Sequence, residues 1–331
     1  MPKPDLAADV HRRIRYRRHP WGCAAVLLPH HPDGTVDWES FRTLLRRTVD
    51  AGLTPAVNMD TGFVQLLDYA TRARVLSTTV EVLAKGASTS GDAFLAGAFV
   101  ADQPGDAFDL GSYLEQLHTV RAAGGTPVVF PSHGLNGLGP ADWVSAHRSF
   151  ADSCDRFIAF ELGEQFVPYG RIYPLDAYRS LLGIEACIGA KHSSLSRVSE
   201  WDRLAVRDEV RPDFHVFTGN DLAIDMICWG SDYLLGLAAF APDHFAARDR
   251  AWAAGDPSFH ERNDLLQYLG AFSFRDPVPA YRHDAAMFLN HRGWIDSPEV
   301  PAGAPRRPGS DLEVLARIAD DLGEVELGRA E

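Results

Sequence analysis

Residues 185–191 read Glu-Ala-Cys-Ile-Gly-Ala-Lys, a short apolar run with the length and small residues of a buried strand. Seven further runs of this kind occur along the chain, and each is followed by a segment whose apolar residues have helical spacing. In chain order the eight runs are residues 24–28, 54–58, 93–100, 126–130, 156–162, 185–191, 213–218 and 232–237. The alternation predicts parallel strands that are joined by helical crossovers.

The helical segments are placed by their apolar spacing and by their end signals. The clearest begins after the N-cap candidate Asp37, repeats apolar residues three or four positions apart, and ends at Gly52. The other seven are residues 69–85, 108–123, 141–152, 175–182, 196–206, 221–229 and 242–254. Eight strand–helix pairs favour closure into a (β/α)8 TIM barrel, an α/β fold. An open doubly wound sheet is the alternative, but the sequence has neither a GxGxxG nor a GxxxxGK(S/T) phosphate loop.

The last quarter of the chain, residues 256–331, is predicted to be mostly helical. Its best helical segments are 264–274 and 311–322, and a stretch rich in Pro and Gly separates them. We therefore expect residues 1–255 to form the barrel with a short N-terminal arm. Residues 256–331 are expected to form a helical extension packed on that barrel.

Composition and charge exclude some classes of protein. With 46% hydrophobic and 23% charged residues the composition is ordinary for a globular protein, and no apolar run approaches the roughly 18 residues of a membrane span. The net charge of −13 disfavours nucleic-acid binding, so we assign the five arginines from Arg12 to Arg18 to a solvated face or a subunit contact. No signal-like segment follows them, and the four cysteines form no CxxC pair. We therefore expect a cytoplasmic protein with reduced cysteines.

Polar residues at the ends of the apolar runs are candidates for chemistry, because barrel active sites form at the C-terminal ends of the strands. These residues are His30, His31, Asn58, Asp60, Thr61, Asp102, Ser132, His133, Glu161, Lys191, His192, Ser193, Ser194, Thr218, Asn220 and Asp221. Lys191 stands apart because Ile188, Gly189 and Ala190 precede it in a run typical of a buried strand. Burial lowers the pKa of a lysine and supplies the neutral amine that attacks a carbonyl to give an imine. A lysine that merely ends its strand and pairs with a carboxylate is the alternative.

The segment around Lys191 also resembles a known motif. Residues 189–194 read Gly-Ala-Lys-His-Ser-Ser and resemble the G-x-K-D/E-S/T-S segment on the sixth strand of the dihydrodipicolinate synthase and N-acetylneuraminate lyase family. Residues 58–62, Asn-Met-Asp-Thr-Gly, resemble the family's N-G-T-T-G-E loop after strand two. The resemblance spans nearly the whole chain and implies a class I aldolase-type barrel in which Lys191 forms a Schiff base. It also implies that Thr61 and Gly62 bind the substrate carboxylate.

Two further regions extend the resemblance. Residues 217–221, Phe-Thr-Gly-Asn-Asp, and 230–232, Gly-Ser-Asp, resemble the S/T-G-D-D region of the seventh strand and the G-A-D-G that follows it, which implies a substrate-binding position for Asn220. Residues 168–171, Pro-Tyr-Gly-Arg, resemble the family's V-P-G-R turn with one residue inserted. Arg171 then takes the place of an arginine that holds a carboxylate, and a surface ion pair is its alternative. The implied substrate is a 2-oxo acid such as pyruvate or a related aldehyde, with no cofactor and no metal.

The proton relay of the family is altered in this sequence. The first threonine of its T-T-G loop corresponds to Asp60, and the tyrosine that a neighbouring subunit supplies corresponds to His133. Its tyrosine on strand five corresponds to Phe160 or Glu161, or to Gln165 if the gap falls earlier. We therefore name Asp60, His133 and Glu161 as candidate proton carriers. The position of His133 implies a homo-oligomer, a dimer or a tetramer.

Three hypotheses remain open from the sequence. The first is a Schiff-base lyase, aldolase or hydratase-aldolase, in which Tyr169 or Tyr173 could supply a phenol and His192 faces the helices. The second is a barrel that binds 2-oxo acids or regulates another protein without turnover. The third is a metal-dependent barrel, although no HxH or HExxH spacing supports it. Its ligands would come from His30, His31, His133, Glu161, His192 and Asp221.

Overall fold

The computed structural model describes residues 13–84 and 93–327, so Arg12 of the arginine cluster and Lys85 at the end of a predicted helix lie outside it. Eight parallel strands close into a barrel, in which each strand pairs with the next and β8 pairs with β1. The strands are β1 Gly22–Ala25, β2 Thr54–Val57, β3 Leu95–Ala98, β4 Thr126–Val129, β5 Phe157–Leu162, β6 Cys187–Ser193, β7 His215–Thr218 and β8 Asp232–Leu235. Each strand overlaps one of the eight apolar runs. The predicted (β/α)8 barrel is confirmed.

Helices cover the outside of the barrel between the strands. They are α1 Trp38–Ala51, α2 Tyr69–Leu83, α3 Leu110–Ala122, α4 His133–Gly137, α5 Pro140–Ala151, α6 Leu175–Leu181, α7 Arg197–Val210 and α8 Pro242–Ala254. Helix α1 has the predicted ends. The Asp37 side chain accepts a hydrogen bond from the backbone N–H of Ser40, and Gly52 adopts the left-handed conformation with φ of 93°.

The segment after β7 differs from its prediction. The sequence predicts a helix at residues 221–229, but the structure has only the 3-10 helix Ile224–Trp229. Long-range hydrogen bonds hold the start of this segment. The Asp221 carboxylate accepts from the backbone N–H of Leu237, and the Gln267 amide donates to the Asp221 carbonyl. These contacts override the local helical preference on which the prediction was based.

In the described part of the chain, three α-helices follow the barrel: α9 Ser258–Ser273, α10 Tyr281–His291 and α11 Asp311–Leu327. The first and the last confirm that the extension is helical, whereas the sequence did not predict α10. Residues 281–289 are all buried, so α10 lacks the polar face by which a helix is recognised in a sequence. The division of the chain at residue 255 stays a prediction.

The strands are buried on both sides, by the barrel interior and by the helices. This double burial explains why the strands read as continuous apolar runs rather than as alternating ones. All four cysteine side chains are buried as well. Within the described ranges, no helix combines the length and the apolar character that a membrane crossing requires.

Candidate active site

Lys191 lies in β6, and its side chain points into the barrel. The strand register places it between Phe160 of β5 and Phe217 of β7. Its Nζ lies 4.4 Å from the centroid of the Phe160 ring, and the residue is 6% exposed. Gly219 leaves room for the aliphatic stem, because a Cβ at that position would lie 2.8 Å from Lys191 Cε. The same Cβ would lie 2.0 Å from Ser193 Oγ, so the glycine makes room for both side chains.

The Lys191 amine is buried without a paired anion. Burial lowers the pKa of the amine to about 8, while the negative charges of Asp221 and Asp60 act in the opposite direction. No side chain in the described part of the chain forms a hydrogen bond or an ion pair with Nζ. Burial also raises the pKa of Asp221 to about 7. A fraction of the amine is therefore neutral near neutral pH, as a nucleophilic lysine requires.

A buried cluster of hydrogen-bonded side chains holds Asp60, whose charge acts on Lys191. Thr61 Oγ1 lies 2.8 Å from the Tyr281 hydroxyl, and that hydroxyl lies 3.0 Å from Asp60 Oδ2. The other carboxylate oxygen, Asp60 Oδ1, accepts from Gln65 Nε2 at 2.8 Å. The cluster can orient a carboxylate and pass protons along hydroxyl groups.

The turn that carries Asp60 and Thr61 is the 3-10 helix Asp60–Gly62 after β2. The N–H of Gly62 donates to the carbonyl of Met59, so this amide already has a partner. A Cβ on Gly62 would lie 3.3 Å from the carbonyl oxygen of Val26, which favours a small residue here. The substrate contact that the resemblance implies for Gly62 stays a prediction.

Tyr281 is the candidate that the sequence reasoning missed, because it lies in the unpredicted helix α10. Its ring stacks on Phe274 with centroids 4.2 Å apart, and a Cβ on Gly236 would lie 2.9 Å from its Cε2. Burial holds the pKa of the phenol well above its ordinary value, and the charge of Asp60 adds to this effect. The signals available were Pro279 before the helix and Gly293 after it.

A cavity of about 340 Å³ opens where the chain leaves strands β2 to β5. Its polar lining includes Asp60, Gln65, Asp102, His133 and Arg282, and its apolar lining includes Phe99, Phe166 and Tyr169. Lys191 is not part of the lining. Asp60 belongs to both the cavity wall and the buried cluster, so it connects the two.

His133 lies at the edge of this cavity, at the start of helix α4. Its backbone N–H and that of Gly134 donate to the Asp102 carboxylate at 2.9 and 2.7 Å. Its ring packs against Tyr169 with centroids 4.1 Å apart. The imidazole therefore lines the cavity of its own chain, and a role in the site of a neighbouring subunit stays a prediction.

Arg171 does not line the cavity. Its Nη1 donates to the backbone carbonyls of Asn136 and Leu138 at 3.0 and 2.7 Å, which ties its turn to the end of α4. These bonds use Nη1 alone, and the carboxylate-binding role of Arg171 stays a prediction. Arg282 borders the cavity instead, with its Nη1 3.2 Å from the carbonyl oxygen of Asp60.

Glu161 faces the helices and not the barrel interior. Its carboxylate accepts from Arg203 Nε and Nη2 at 2.6 and 2.7 Å, from the backbone N–H of Tyr173, and bonds to His192 Nδ1 at 2.9 Å. Burial would raise the pKa of Glu161, but Arg203 and then His192 outweigh it and lower the pKa to about 2. The prediction that Glu161 carries protons beside Lys191 is wrong, because adjacent strand residues point to opposite faces. His192 faces the helices, as expected.

Asn220 also serves the fold rather than the cavity. Its Oδ1 accepts from the backbone N–H groups of Ser194 and Leu195 at 3.0 and 2.6 Å, and its Nδ2 donates to Glu200 at 2.6 Å. The residue is fully buried. Both ends of the amide are occupied, so the structure contradicts a substrate contact for Asn220. Its bonds shape the turn after β6, where Leu195 has a φ of 56°.

The candidate metal ligands do not lie close enough together to bind one ion in the described part of the chain. Among residues 13–84 and 93–327, no three His, Cys, Asp or Glu side chains are placed to hold a metal ion together. Glu161 and His192 are bound to each other on the helix side of the sheet, and His30 packs against the Phe63 ring. The hypothesis of a metal-dependent barrel gains no support from this arrangement.

Known structures match almost the whole chain. Neither a protein-family model nor a curated protein matches the sequence. Dihydrodipicolinate synthase from Thermotoga maritima has a TM-score of 0.76 and 17% identity, and the match covers 92% of this chain and 99% of that one. The chain has the dihydrodipicolinate synthase fold. The resemblance predicted from the motifs is thereby confirmed at the level of the fold.

Two further structures with the dihydrodipicolinate synthase fold bear on ligand and assembly. The chloride-inhibited enzyme from Acinetobacter baumannii, complexed with pyruvate, has a TM-score of 0.74 and 18% identity over 92% of this chain and 99% of that one. A monomeric dihydrodipicolinate synthase variant has a TM-score of 0.75 and 17% identity over 95% of this chain and 99% of that one. The fold therefore occurs in a monomer, and the predicted homo-oligomer stays a prediction here.

Proposed function

We propose that this protein is a Schiff-base-forming lyase, an aldolase or hydratase-aldolase, that acts on a 2-oxo acid such as pyruvate or on a related carbonyl compound. The observation that carries the proposal is the Lys191 amine, which is buried inside a barrel of the dihydrodipicolinate synthase fold and has no paired anion among residues 13–84 and 93–327. The pyruvate complex of the Acinetobacter baumannii enzyme supports the substrate class. A cytoplasmic location stays a prediction.

The proposed chemistry uses the chain's own amine. Neutral Lys191 Nζ attacks the ketone carbon of the substrate, and a proton moves from nitrogen to oxygen to give a carbinolamine. The carbinolamine hydroxyl takes up a proton from solvent and leaves as water, so that a protonated imine remains. The imine nitrogen then accepts electrons from the neighbouring carbon, which eases the making or breaking of a bond at that carbon. Burial favours the attack because it lowers the pKa of the amine to about 8.

We assign the substrate carboxylate to Thr61 and Arg282. Arg282 is a cation in the cavity wall, and its Nη1 lies 3.6 Å from Asp60 Oδ1, at the point where the cavity meets the buried cluster. A guanidinium is suited to a carboxylate because its N–H groups match the two oxygens. The aromatic side of the cavity, with Phe99 and Phe166, would accommodate an apolar group on the second fragment.

Borohydride trapping tests the proposal, because the chain has only three lysines: Lys3, Lys85 and Lys191. Reduction in the presence of pyruvate should leave one adduct, which mass spectrometry of the peptides should locate at Lys191. Lys191→Arg should prevent the adduct, because a guanidinium does not form an imine, whereas the matched control Lys85→Arg should retain it. No adduct with pyruvate or other 2-oxo acids, or an adduct that survives Lys191→Arg, would contradict the proposal.

Two extensions of this assay separate substrate binding from turnover. Arg282→Gln should require a higher pyruvate concentration for half-maximal trapping than Arg171→Gln does. Formation of the adduct without carbon–carbon cleavage or condensation, across a panel of 2-oxo acids and aldehydes, would indicate a protein that binds 2-oxo acids without turnover.

A further inference from the structure

The ring of Phe160 lies against the Lys191 amine. Nζ of Lys191 is 4.4 Å from the centroid of this ring, within the roughly 6 Å over which the face of an aromatic ring attracts a cation. The contact follows from the strand register, because Phe160 of β5 pairs with Lys191 of β6 and both side chains point into the barrel. The ring is therefore in direct contact with the atom that would form the imine.

Two further rings hold Phe160 in place. Phe130 meets Phe160 at an interplanar angle of 85° with centroids 5.4 Å apart, and Phe99 meets Phe130 at 72° and 5.5 Å. Such steep contacts are favourable because the positive edge of one ring meets the negative face of the other. Phe160 and Phe130 are buried, and Phe99 lines the cavity. A row of rings, Phe99, Phe130 and Phe160, thus runs from the cavity wall to the amine.

An aromatic ring attracts positive charge but does not take up a proton. A carboxylate paired with Nζ would favour the ammonium and keep the amine protonated, whereas the ring leaves the nitrogen lone pair free once the proton has gone. The charged groups that act on the amine are Asp221, after β7, and Asp60, after β2. Neither carboxylate is hydrogen-bonded or ion-paired to Nζ within residues 13–84 and 93–327. The face of Phe160 supplies negative potential to Nζ at contact distance.

We propose that Phe160 is a catalytic residue whose ring face stabilises the positive charge that the Lys191 nitrogen carries in the protonated imine. This inference rests on the proposed function. The charge appears when the carbinolamine loses water. Its hydroxyl takes up a proton from solvent, the carbon–oxygen bond breaks, and the nitrogen lone pair becomes the second bond between carbon and nitrogen. The nitrogen is left with the positive charge, at the place where the ring already faces it.

The same contact stabilises the ammonium of the free protein, and this gives the effect of the ring a characteristic pH dependence. Below the Lys191 pKa of about 8, ammonium and ketone give protonated imine and water, so nitrogen carries the same charge before and after, and the ring has no net effect. Above that pKa a neutral amine becomes a cation, and the ring favours the imine. A change at position 160 that acted by shape alone would affect imine formation equally in both ranges.

The test uses Phe160→Leu, which removes the ring face, and a difluorinated phenylalanine at position 160, which keeps the packing and withdraws electrons from the face. Nuclear magnetic resonance of isotope-labelled lysine should show the acid dissociation constant of Lys191 raised about 10-fold in Phe160→Leu and raised by less in the fluorinated protein. At about pH 9, Phe160→Leu should need about 10-fold more pyruvate than the wild type for half-maximal borohydride trapping, and at about pH 6 the same amount.

The matched control is Phe217→Leu. Phe217 also pairs with Lys191, but its ring packs against Trp21 and His215, with centroids 5.2 and 5.6 Å away. This variant should keep the wild-type ionisation of Lys191 and the wild-type pyruvate requirement at both pH values. If Phe160→Leu does not fold, the fluorinated protein gives the same comparison.

The outcomes separate the role of the ring from the proposed function. An adduct in the wild type together with an unchanged Lys191 titration in the Phe160 variants, or an equal loss of trapping at both pH values, would overturn the role of Phe160 alone. No adduct in the wild type would overturn the proposed function and the stabilisation of the imine with it.

Discussion

Lys191 and Glu161 are buried charges on opposite sides of the sheet formed by β5 and β6. Lys191 of β6 pairs with Phe160 of β5, and Glu161 is the next residue of β5. Inside the barrel, Lys191 has the ring of Phe160 at 4.4 Å and, in the described part of the chain, no anion paired with it. Outside, Glu161 is bound by Arg203, by His192 and by the backbone of Tyr173. Burial alone therefore does not identify a functional group. Removing one partner of a fully paired buried charge leaves the other partner uncompensated and destabilises the fold, whereas a buried charge without partners is a candidate for chemistry.

The largest effect on stability is expected from Glu161→Gln. The change leaves the Arg203 guanidinium buried without its counter-charge, so we expect the free energy of unfolding to fall by about 3–5 kcal/mol. Urea denaturation measures this loss. The stabilisation by Glu161 should be present above its ordinary pKa of 4.5 and should disappear as the pH falls toward 2.

The control for this change is Glu209→Gln, which removes an exposed ion pair with Arg179 whose atoms lie 2.7 Å apart. Solvent screens an exposed pair, so this change should have a far smaller effect than Glu161→Gln. Equal effects of Glu161→Gln and Glu209→Gln would mean that the buried Glu161 contributes no more to stability than an exposed carboxylate does.

A smaller effect of opposite sign is expected from Lys191→Met, which replaces the buried ammonium by an apolar side chain of similar length. In the folded protein burial lowers the pKa from 10.5 to about 8. Below pH 8 the charged amine thus costs up to about 3 kcal/mol, and the variant should be more stable than the wild type.

The pH dependence of this difference gives the sharper test. Between pH 8 and 10.5 the unfolded wild type binds more protons than the folded one, so wild-type stability rises over this window. The advantage of Lys191→Met should therefore shrink from pH 8 to 10.5. A variant that is less stable than the wild type at neutral pH would show that the Lys191 ammonium has a stabilising partner.

The sequence predicted what depends on local patterning and missed what depends on tertiary contacts. The apolar runs located all eight strands, because a strand buried on both faces must be apolar throughout. The backbone contacts of Arg171 and Asn220 could not be predicted in the same way. Their side chains are used by backbone groups from other turns, and those partners are known only once the chain has folded.

Helix α10 is a second feature that the sequence did not predict. Residues 281–289 are buried on every side of the helix, so the sequence shows no alternation of apolar and polar residues with helical period. The sequence analysis therefore named Tyr169 and Tyr173 as the candidate phenols. Tyr169 instead packs against His133, and Tyr173 bonds through its backbone to Glu161. The phenol beside the buried cluster is Tyr281, more than two hundred positions from Thr61 in the chain.

The ionisation of Lys191 tests the central claim most directly, and it needs no substrate. Nuclear magnetic resonance of the protein with isotope-labelled lysine should give a Lys191 signal that Lys191→Arg removes. With three lysines in the chain, that assignment is simple. The account predicts that this signal titrates with a pKa of about 8. Titration at the ordinary lysine value of 10.5 would contradict a buried, unpaired and nucleophilic amine.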